Sequence, residues 1–216
     1  MNRNAAALNN LGSYMLLMGS IVPRPITLIS TVGSDGVPNL APFSLTTAVS
    51  SDPPMLAFTS TRLPIPPDDK QDTLRNIEDT GEFVYNLVLA EYDQKMVDTS
   101  TTWPASVNEF ARCGFTPGPS SRVGVPRVSE SPVSFECVLH RIIECGGGES
   151  RLVIGQVVAV HIAEAFIVDG LLDLSRVART GRMAGSEYVH TDAPFTVADA
   201  GIVRDRRYIN DYLFEA

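Results

Sequence analysis

Side chains that could bind a polar ligand are concentrated in two short stretches of this chain of 216 residues. The first stretch, residues 39–48, combines asparagine, serine and threonine side chains with a proline. Such a segment leaves backbone N–H and C=O groups accessible, and these groups can hydrogen-bond the edge of a planar heterocycle. The alternative interpretation is an ordinary hairpin strand whose polar face lies in water.

The second stretch holds two cations and several hydroxyl groups around the predicted start of a helix. A helix start offers free N–H groups and a partial positive charge, which together favour a phosphate group. Arg62 adds a fork of N–H donors. We expect Asp72 to cap the helix, because its carboxylate would repel a phosphate, and we expect Thr73 and the cations to bind the ligand. The alternative is a solvated loop with an ordinary aspartate cap. The stretch comprises Ser60-Thr61-Arg62 and Lys70-Gln71-Asp72-Thr73.

Several familiar motifs are absent from the sequence. No GxGxxG follows a predicted strand, which argues against a Rossmann dinucleotide site, and there is no GxxxxGK[ST] phosphate loop. A GxSxG nucleophile elbow is missing as well. The three cysteines are scattered and the three histidines form no HExxH motif, so we predict no metal site.

Composition and charge narrow the function classes further. Hydrophobic residues make up 44% of the chain and charged residues 19%, which is typical of a globular protein. The net charge of −8 disfavours general nucleic-acid binding, which needs clustered cations. Residues 4–23 carry no charge but are too polar to span a bilayer, so we predict an N-terminal segment packed on the domain. The odd, scattered cysteines favour a reducing cytoplasm.

The elements that must position these side chains are mostly strands. Two helices are predicted: one begins at Asp72 and is closed by Gly81, and the other opens with a capping box at residues 106–109 and ends at Gly114. Because βαβ alternation is absent, the pattern predicts a mainly β, antiparallel barrel with a few short helices, in one domain spanning residues 1–216. The predicted strands are residues 26–32, 39–51, 55–60, 82–89, 133–143 and 152–162, with turns at 33–36, 146–149 and 168–170.

An ordered set of short motifs resembles the flavin reductase-like family, whose fold is the FMN-binding split β-barrel. Within that family the chain is most similar to the flavoredoxin and monooxygenase reductase-component branch. The resemblance covers about residues 14–190 and leaves residues 191–216 as a C-terminal extension. The motifs are VPRPI at 22–26, NLAPFS at 39–44, DPP at 52–54, DTLRNI at 72–77, EFV at 82–84, NEF at 108–110, PRV at 126–128, ESPV at 130–133, FEC at 135–137, IGQV at 154–157 and GSEY at 185–188.

The resemblance implies an FMN-binding homodimer with the flavin near the subunit interface. By position, one group of residues would line the isoalloxazine ring and the ribityl chain, and a second group would hold the phosphate. Gln71 stands where the family usually has lysine, so Lys70, one residue earlier, is the expected substitute. The resemblance also places Arg182 at the position of an arginine that is typical of the family. The first group is Asn39, Ser44, Leu45, Thr46 and Thr47, and the second is Ser60, Arg62 and Thr73, with Lys70.

The activity implied by the resemblance is an NAD(P)H:flavin oxidoreductase. Nicotinamide C4 would give a hydride to flavin N5, and we name no catalytic side chain because the flavin carries this chemistry. A small-molecule substrate and a monooxygenase partner are expected. Two alternatives remain: an FMN protein that transfers electrons to another centre or acts on another substrate, and a flavin-free binding module. The replacement by Gln71 favours the second alternative, and the Ser-Thr-Arg set opposes it.

Overall fold

The computed structural model describes residues 4, 7–61, 70–146, 150–168, 171–173 and 177–193. Four features of the sequence lie wholly or partly outside these described residues, so the structure does not test what was predicted for them. They are Arg62, positions 147–149 of one predicted turn, positions 169–170 of another, and most of the extension after residue 190.

Strands dominate the described residues, and the helices are few and short. The four α-helices are α1 Asn10–Ser20, α2 Asp72–Thr80, α3 Asp93–Asp98 and α4 Glu109–Cys113, with short 3-10 turns at Ala90–Tyr92 and Glu164–Phe166. The strands are β1 Arg24–Pro25, β2 Thr27–Val32, β3 Pro38–Phe43, β4 Thr46–Ser51, β5 Pro54–Thr61, β6 Glu82–Leu87, β7 Pro117–Gly118, β8 Arg127–Val128, β9 Val133–Cys145, β10 Ser150–Ile162, β11 Ile167–Val168, β12 Leu171–Leu172, β13 Thr180–Arg182 and β14 Tyr188–His190.

The main sheet has seven strands in the order β3-β2-β6-β9-β10-β5-β4, and all the neighbouring pairs are antiparallel. The two edge strands, β3 and β4, follow each other in the chain. Between them Leu45 accepts a hydrogen bond from the backbone N–H of Thr59 in β5 at 2.8 Å. Because a two-residue bend joins opposite edges, the sheet must curl back on itself. The mainly β, antiparallel barrel predicted from the sequence is therefore confirmed.

The barrel interior is filled by aromatic rings. Phe58 packs against Phe43 with 4.6 Å between ring centroids and against Phe83 with 5.6 Å. Helix α2 covers this cluster through Leu74 and Ile77, which are both buried. The polar start of α2 is thereby fixed beside β3, which positions the site described below.

The structure corrects three local predictions. The predicted strand 39–51 is two strands, because the chain bends at residues 44–45 and each half pairs with a different neighbour. The helix ending at Gly114 is capped by Asn108, which accepts from the N–H of Ala111 at 3.3 Å, and not by Ser106. Asp72 is the first residue of α2, and Gln71 is its N-cap.

The N-terminal segment also differs from the prediction. Helix α1 has no buried residue, so it is not packed on the domain along its length. Its last turn is held by Arg24, whose guanidinium donates to the carbonyl groups of Met18 and Ile21. Among the described residues, no helix has both the length and the apolar character needed to cross a bilayer.

Candidate functional site

A cavity of about 500 Å³ lies between strand β3, the start of helix α2, the loop at residues 99–105 and helix α4. Its volume falls within the range of small-molecule sites. Polar groups of α2 face a short apolar strip of β3. The lining residues are Asn39, Ala41, Pro42, Phe43, Lys70, Gln71, Asp72, Thr73, Arg75, Thr99, Ser100, Thr101, Thr102, Trp103, Pro104, Ala105 and Glu109.

Three of the residues predicted to bind a cofactor line this cavity: Asn39, Lys70 and Thr73. Asn39 Nδ2 donates to Thr73 Oγ1 at 3.0 Å and to Thr31 Oγ1 at 3.1 Å. Asn39 and Thr73 are 34 positions apart in the chain and both are buried. The amide therefore joins β3 to the first turn of α2 and fixes one wall of the cavity.

Ser60 lies just behind this wall. It is buried near the end of β5, and its hydroxyl donates to Gln71 Oε1 at 2.6 Å. Because Gln71 is turned toward Ser60, its side chain does not cap the helix. The N–H groups of the first turn of α2 consequently have no side-chain cap, whereas α1 and α4 are each capped by an asparagine.

The other predicted residues, Ser44 to Thr47, do not line the cavity. Ser44 and Leu45 are half-buried in the bend after β3. Thr46 is buried, and its hydroxyl contacts Tyr85 OH at 3.0 Å and the carbonyl of Ala57 at 3.2 Å. The exposed Thr47 donates to the carbonyl of Ala48. The structure thus separates the predicted set into a cavity group and a bend group, and the contact of either group with a flavin stays a prediction.

The charged side chains at the cavity are paired with one another. Lys70 Nζ lies 2.6 Å from Glu78 Oε2 on the outer side of α2. The guanidinium of Arg75 donates to the carboxylate of Asp72 and, at 2.9 Å, to the backbone carbonyl of Lys70. Sequence reasoning missed Arg75. Its spacing from Asp72, three positions on a predicted helix, places the two side chains on one face and could have revealed the pair.

A buried carboxyl group forms another part of the wall. Glu109, the first residue of α4, is 6% exposed and accepts a hydrogen bond from the backbone N–H of Leu40 at 3.2 Å. Burial raises the pKa of this carboxyl, and the two backbone hydrogen bonds that it accepts oppose the rise. The sequence identified Glu109 only as part of a capping box, because its partner strand lies 69 positions away.

The loop at residues 99–105 carries Trp103, whose ring is covered by the guanidinium of Arg112 with 4.7 Å to the ring centroid. The indole Nε1 is inaccessible to solvent and finds no hydrogen-bond partner among the described atoms. A buried tryptophan N–H usually has a partner, and none of the described residues supplies one here.

Taken together, the cavity lining combines ion-paired cations, a helix start without a side-chain cap and an apolar strip of β3. This combination fits a ligand that carries an anionic group and a planar ring, as FMN does. Among the described residues, no three His, Cys, Asp or Glu side chains come close enough to hold a metal ion.

Residues 18–181 match the family model described as flavin reductase like domain. The chain belongs to the flavin reductase-like family. It is 35% identical over 179 residues to an uncharacterized protein of Aquifex aeolicus, covering 82% of this chain and 88% of that protein. It is also 30% identical over 149 residues to the flavin reductase (NADH) of Kitasatospora aureofaciens, covering 68% of this chain and 70% of that one.

Solved structures of this family share the fold over nearly the whole chain. Nitrilotriacetate monooxygenase component B from Bacillus cereus has a TM-score of 0.85 at 31% identity, over 91% of this chain and 98% of that one. The 2-nitrobenzoate 2-nitroreductase NbaA from Pseudomonas fluorescens has a TM-score of 0.82 at 28% identity, over 95% and 99%. The predicted membership in the flavin reductase-like family and its split-barrel fold is confirmed.

Proposed function

We propose that this protein is an FMN-binding, NAD(P)H-dependent flavin reductase. The observation that carries the proposal is the start of α2, which has no side-chain cap and which lines, with Thr73 and Arg75, a cavity of about 500 Å³. Similarity to a protein named flavin reductase (NADH) supports the choice of a nicotinamide nucleotide as electron donor.

The start of α2 would bind the phosphate of FMN. The hydroxyl of Thr73 is already oriented by Asn39, and Ser60 lies one hydrogen bond behind Gln71. Lys70 and Arg62 are the predicted cations at this end. The N–H groups of the first turn add a partial positive charge that needs no side chain.

The apolar strip of β3 and the bend that follows it would bind the isoalloxazine ring and the ribityl chain. Phe43 lines the cavity and directly precedes the predicted residues Ser44 to Thr47, so a ligand extending past Phe43 would reach the bend. A bound flavin supplies the hydride-accepting chemistry of the reaction. The protein side chains bind and orient the ring and exclude water, and we assign none of them an acid or base role.

The decisive experiment is an anaerobic visible spectrum of the purified protein with added FMN, recorded before and after addition of NADH or NADPH. We expect a bound-flavin spectrum that is bleached by at least one nicotinamide nucleotide. A protein that takes up no FMN would be a flavin-free binding module. A protein that binds FMN but is not reduced by either nucleotide would be an electron-transfer protein or an oxidoreductase with another substrate.

We also propose that the protein is a homodimer. Helix α1 exposes a run of apolar side chains that nothing in the described chain covers, and a surface of this kind is typical of an interface. The run consists of Leu11, Tyr14, Met15, Leu16 and Leu17. Light scattering coupled to gel filtration should give twice the chain mass of 23.4 kDa, and Leu16→Glu should shift the equilibrium toward the monomer.

Two further points of the proposal concern the cellular setting. Similarity to nitrilotriacetate monooxygenase component B supports a partner monooxygenase that would consume the reduced flavin. Cys113 and Cys137 are unpaired and buried, and Cys145 is unpaired and exposed, which supports a reducing cytoplasm.

A further inference from the structure

We propose that Arg75, and not Lys70, is the cation at the start of α2 that binds the ligand phosphate, and that it keeps Asp72 from repelling that phosphate. This inference rests on the proposed function, because it names a specificity-determining residue of the same site. It concerns a residue to which the sequence assigned no ligand contact.

The first step is the position of the guanidinium. Arg75 lines the cavity, and its Nη2 donates to the backbone carbonyl of Lys70 at 2.9 Å. Lys70 directly precedes Gln71, the N-cap of α2. The guanidinium therefore folds back over the start of the helix, at the end where the first-turn N–H groups are uncapped. A phosphate bound by those N–H groups would lie beside it.

The second step is the direction of the other described cation. The ammonium of Lys70 lies 2.6 Å from the carboxylate of Glu78, and the lysine side chain is 57% exposed. Glu78 is an exposed residue in the second half of α2, away from the helix start. The charge of Lys70 is thus directed along the outside of the helix, where solvent screens it.

The third step is the pairing with Asp72. A carboxylate in the first helical turn would repel a phosphate at the same helix start. Arg75 contacts this carboxylate, and a guanidinium has five N–H donors in a planar fork. It can therefore keep its bond to Asp72 through Nη1 while a phosphate oxygen takes the place of the Lys70 carbonyl at Nη2. A lysine ammonium group carries all its donors on one nitrogen, so it lacks two separate nitrogens for these two contacts.

The test compares two ligands that differ only in the phosphate, FMN and riboflavin, by fluorescence titration at one pH and one salt concentration. We expect Arg75→Ala to weaken FMN binding about ten- to a hundredfold and riboflavin binding by less than about twofold. Lys70→Ala should weaken FMN binding by less than about threefold, since its exposed ion pair contributes little. Arg141→Ala, an exposed arginine of β9 that does not line the cavity, is the matched control.

The double variant Asp72→Asn/Arg75→Ala separates direct contact from charge neutralisation. We expect the double variant to bind FMN at least about tenfold more weakly than Asp72→Asn alone. Recovery of the FMN affinity of Asp72→Asn would overturn the phosphate contact. An unchanged ratio of FMN to riboflavin affinity in Arg75→Ala would overturn the proposal outright, as would an equal loss in Lys70→Ala.

Two controls keep this test decisive. Riboflavin binding reports whether the Arg75→Ala variant is folded. If that variant is not folded, Arg75→Lys, which keeps the charge but loses the planar fork of donors, is used in its place. Arg75→Lys should also lower the ratio of FMN to riboflavin affinity, and an unchanged ratio would contradict the proposal. Failure of the wild-type protein to bind FMN contradicts the proposed function, whereas normal wild-type binding with an unchanged ratio contradicts only the role of Arg75.

Discussion

Glu136 of β9 is fully buried, and five groups contact its carboxylate. It accepts hydrogen bonds from the backbone N–H groups of Ser121 at 2.7 Å, Arg122 at 2.6 Å and Val123 at 3.0 Å. The Ser121 hydroxyl donates at 2.9 Å, and His161 Nε2 contacts the same oxygen. The carboxylate therefore anchors the loop before β8 to the barrel wall.

The pKa of Glu136 gives this anchor a pH dependence. Burial alone would raise the pKa, but hydrogen bonds from His161, Ser121 and Arg122 outweigh burial and lower it from 4.5 to about 2. At about 1.4 kcal/mol for each pH unit, this difference is worth about 3 kcal/mol of folding free energy. Because the folded pKa is the lower one, the stabilisation is complete above pH 4.5 and is lost as the pH falls toward 2.

Glu136→Gln removes the titrating group and isolates this contribution. At pH 7 the variant should be less stable than wild type by about 3 kcal/mol. By pH 3 the difference in free energy of unfolding between wild type and variant should shrink by about 2 kcal/mol, because the wild type has by then lost most of the stabilisation from its ionised carboxylate. The free energy of unfolding is measured by guanidinium denaturation between pH 3 and 7 at one protein concentration, which removes any effect of association.

Glu144→Gln is the matched control, since that carboxylate is 60% exposed and forms a surface ion pair with Arg151 at 3.3 Å. Its stability difference from wild type should be small and nearly independent of pH. A gap between wild type and Glu136→Gln that stays constant from pH 7 to pH 3 would refute the assigned role of the buried carboxylate.

Two further predictions concern the core. Gly155→Ala should destabilise the fold by about 1–3 kcal/mol in denaturant unfolding, because its Cβ would lie 2.3 Å from the ring of Phe83. Gly19→Ala, whose nearest neighbour would be 3.8 Å away, should be neutral or stabilising, and an equal loss would contradict this account. A thiol reagent at pH 8 should label only Cys145 in the folded protein, since burial raises the pKa of Cys137 to about 12. More than one label per folded chain would disprove it.

Much of the fold follows from the sequence because its signals are local. Apolar and β-branched runs predicted the long strands β9 and β10, and glycines with positive φ close α2 and α4 at Gly81 and Gly114, as expected. The division of residues 39–51 into β3 and β4 was missed. Both halves have strand character, and only their different partners, β2 and β5, show that the chain changes sides at the bend.

The candidate site could be predicted only in part, because part of it depends on contacts between distant segments of the chain. Asn39 and Thr73 were identified by residue type, and the structure joins them by a hydrogen bond. Glu109 enters the cavity from a helix that lacks a ligand-binding motif, so only tertiary packing reveals it. The expected cap at Asp72 was wrong, because Arg75 binds that carboxylate and leaves the first N–H groups uncapped by a side chain.

The cavity stays open beside β3 because this edge strand cannot accept another strand. Successive backbone N–H groups of a strand point to opposite sides, so Pro38, Leu40 and Pro42 share the side that faces away from β2. Both prolines lack an N–H, and Glu109 accepts the remaining one, which leaves only carbonyl groups along this edge. We therefore expect a ligand that hydrogen-bonds this edge to act as the donor, as the N–H of a flavin ring can. We expect the carboxyl of Glu109 to oppose strand pairing at this edge and to favour ligand groups that donate hydrogen bonds.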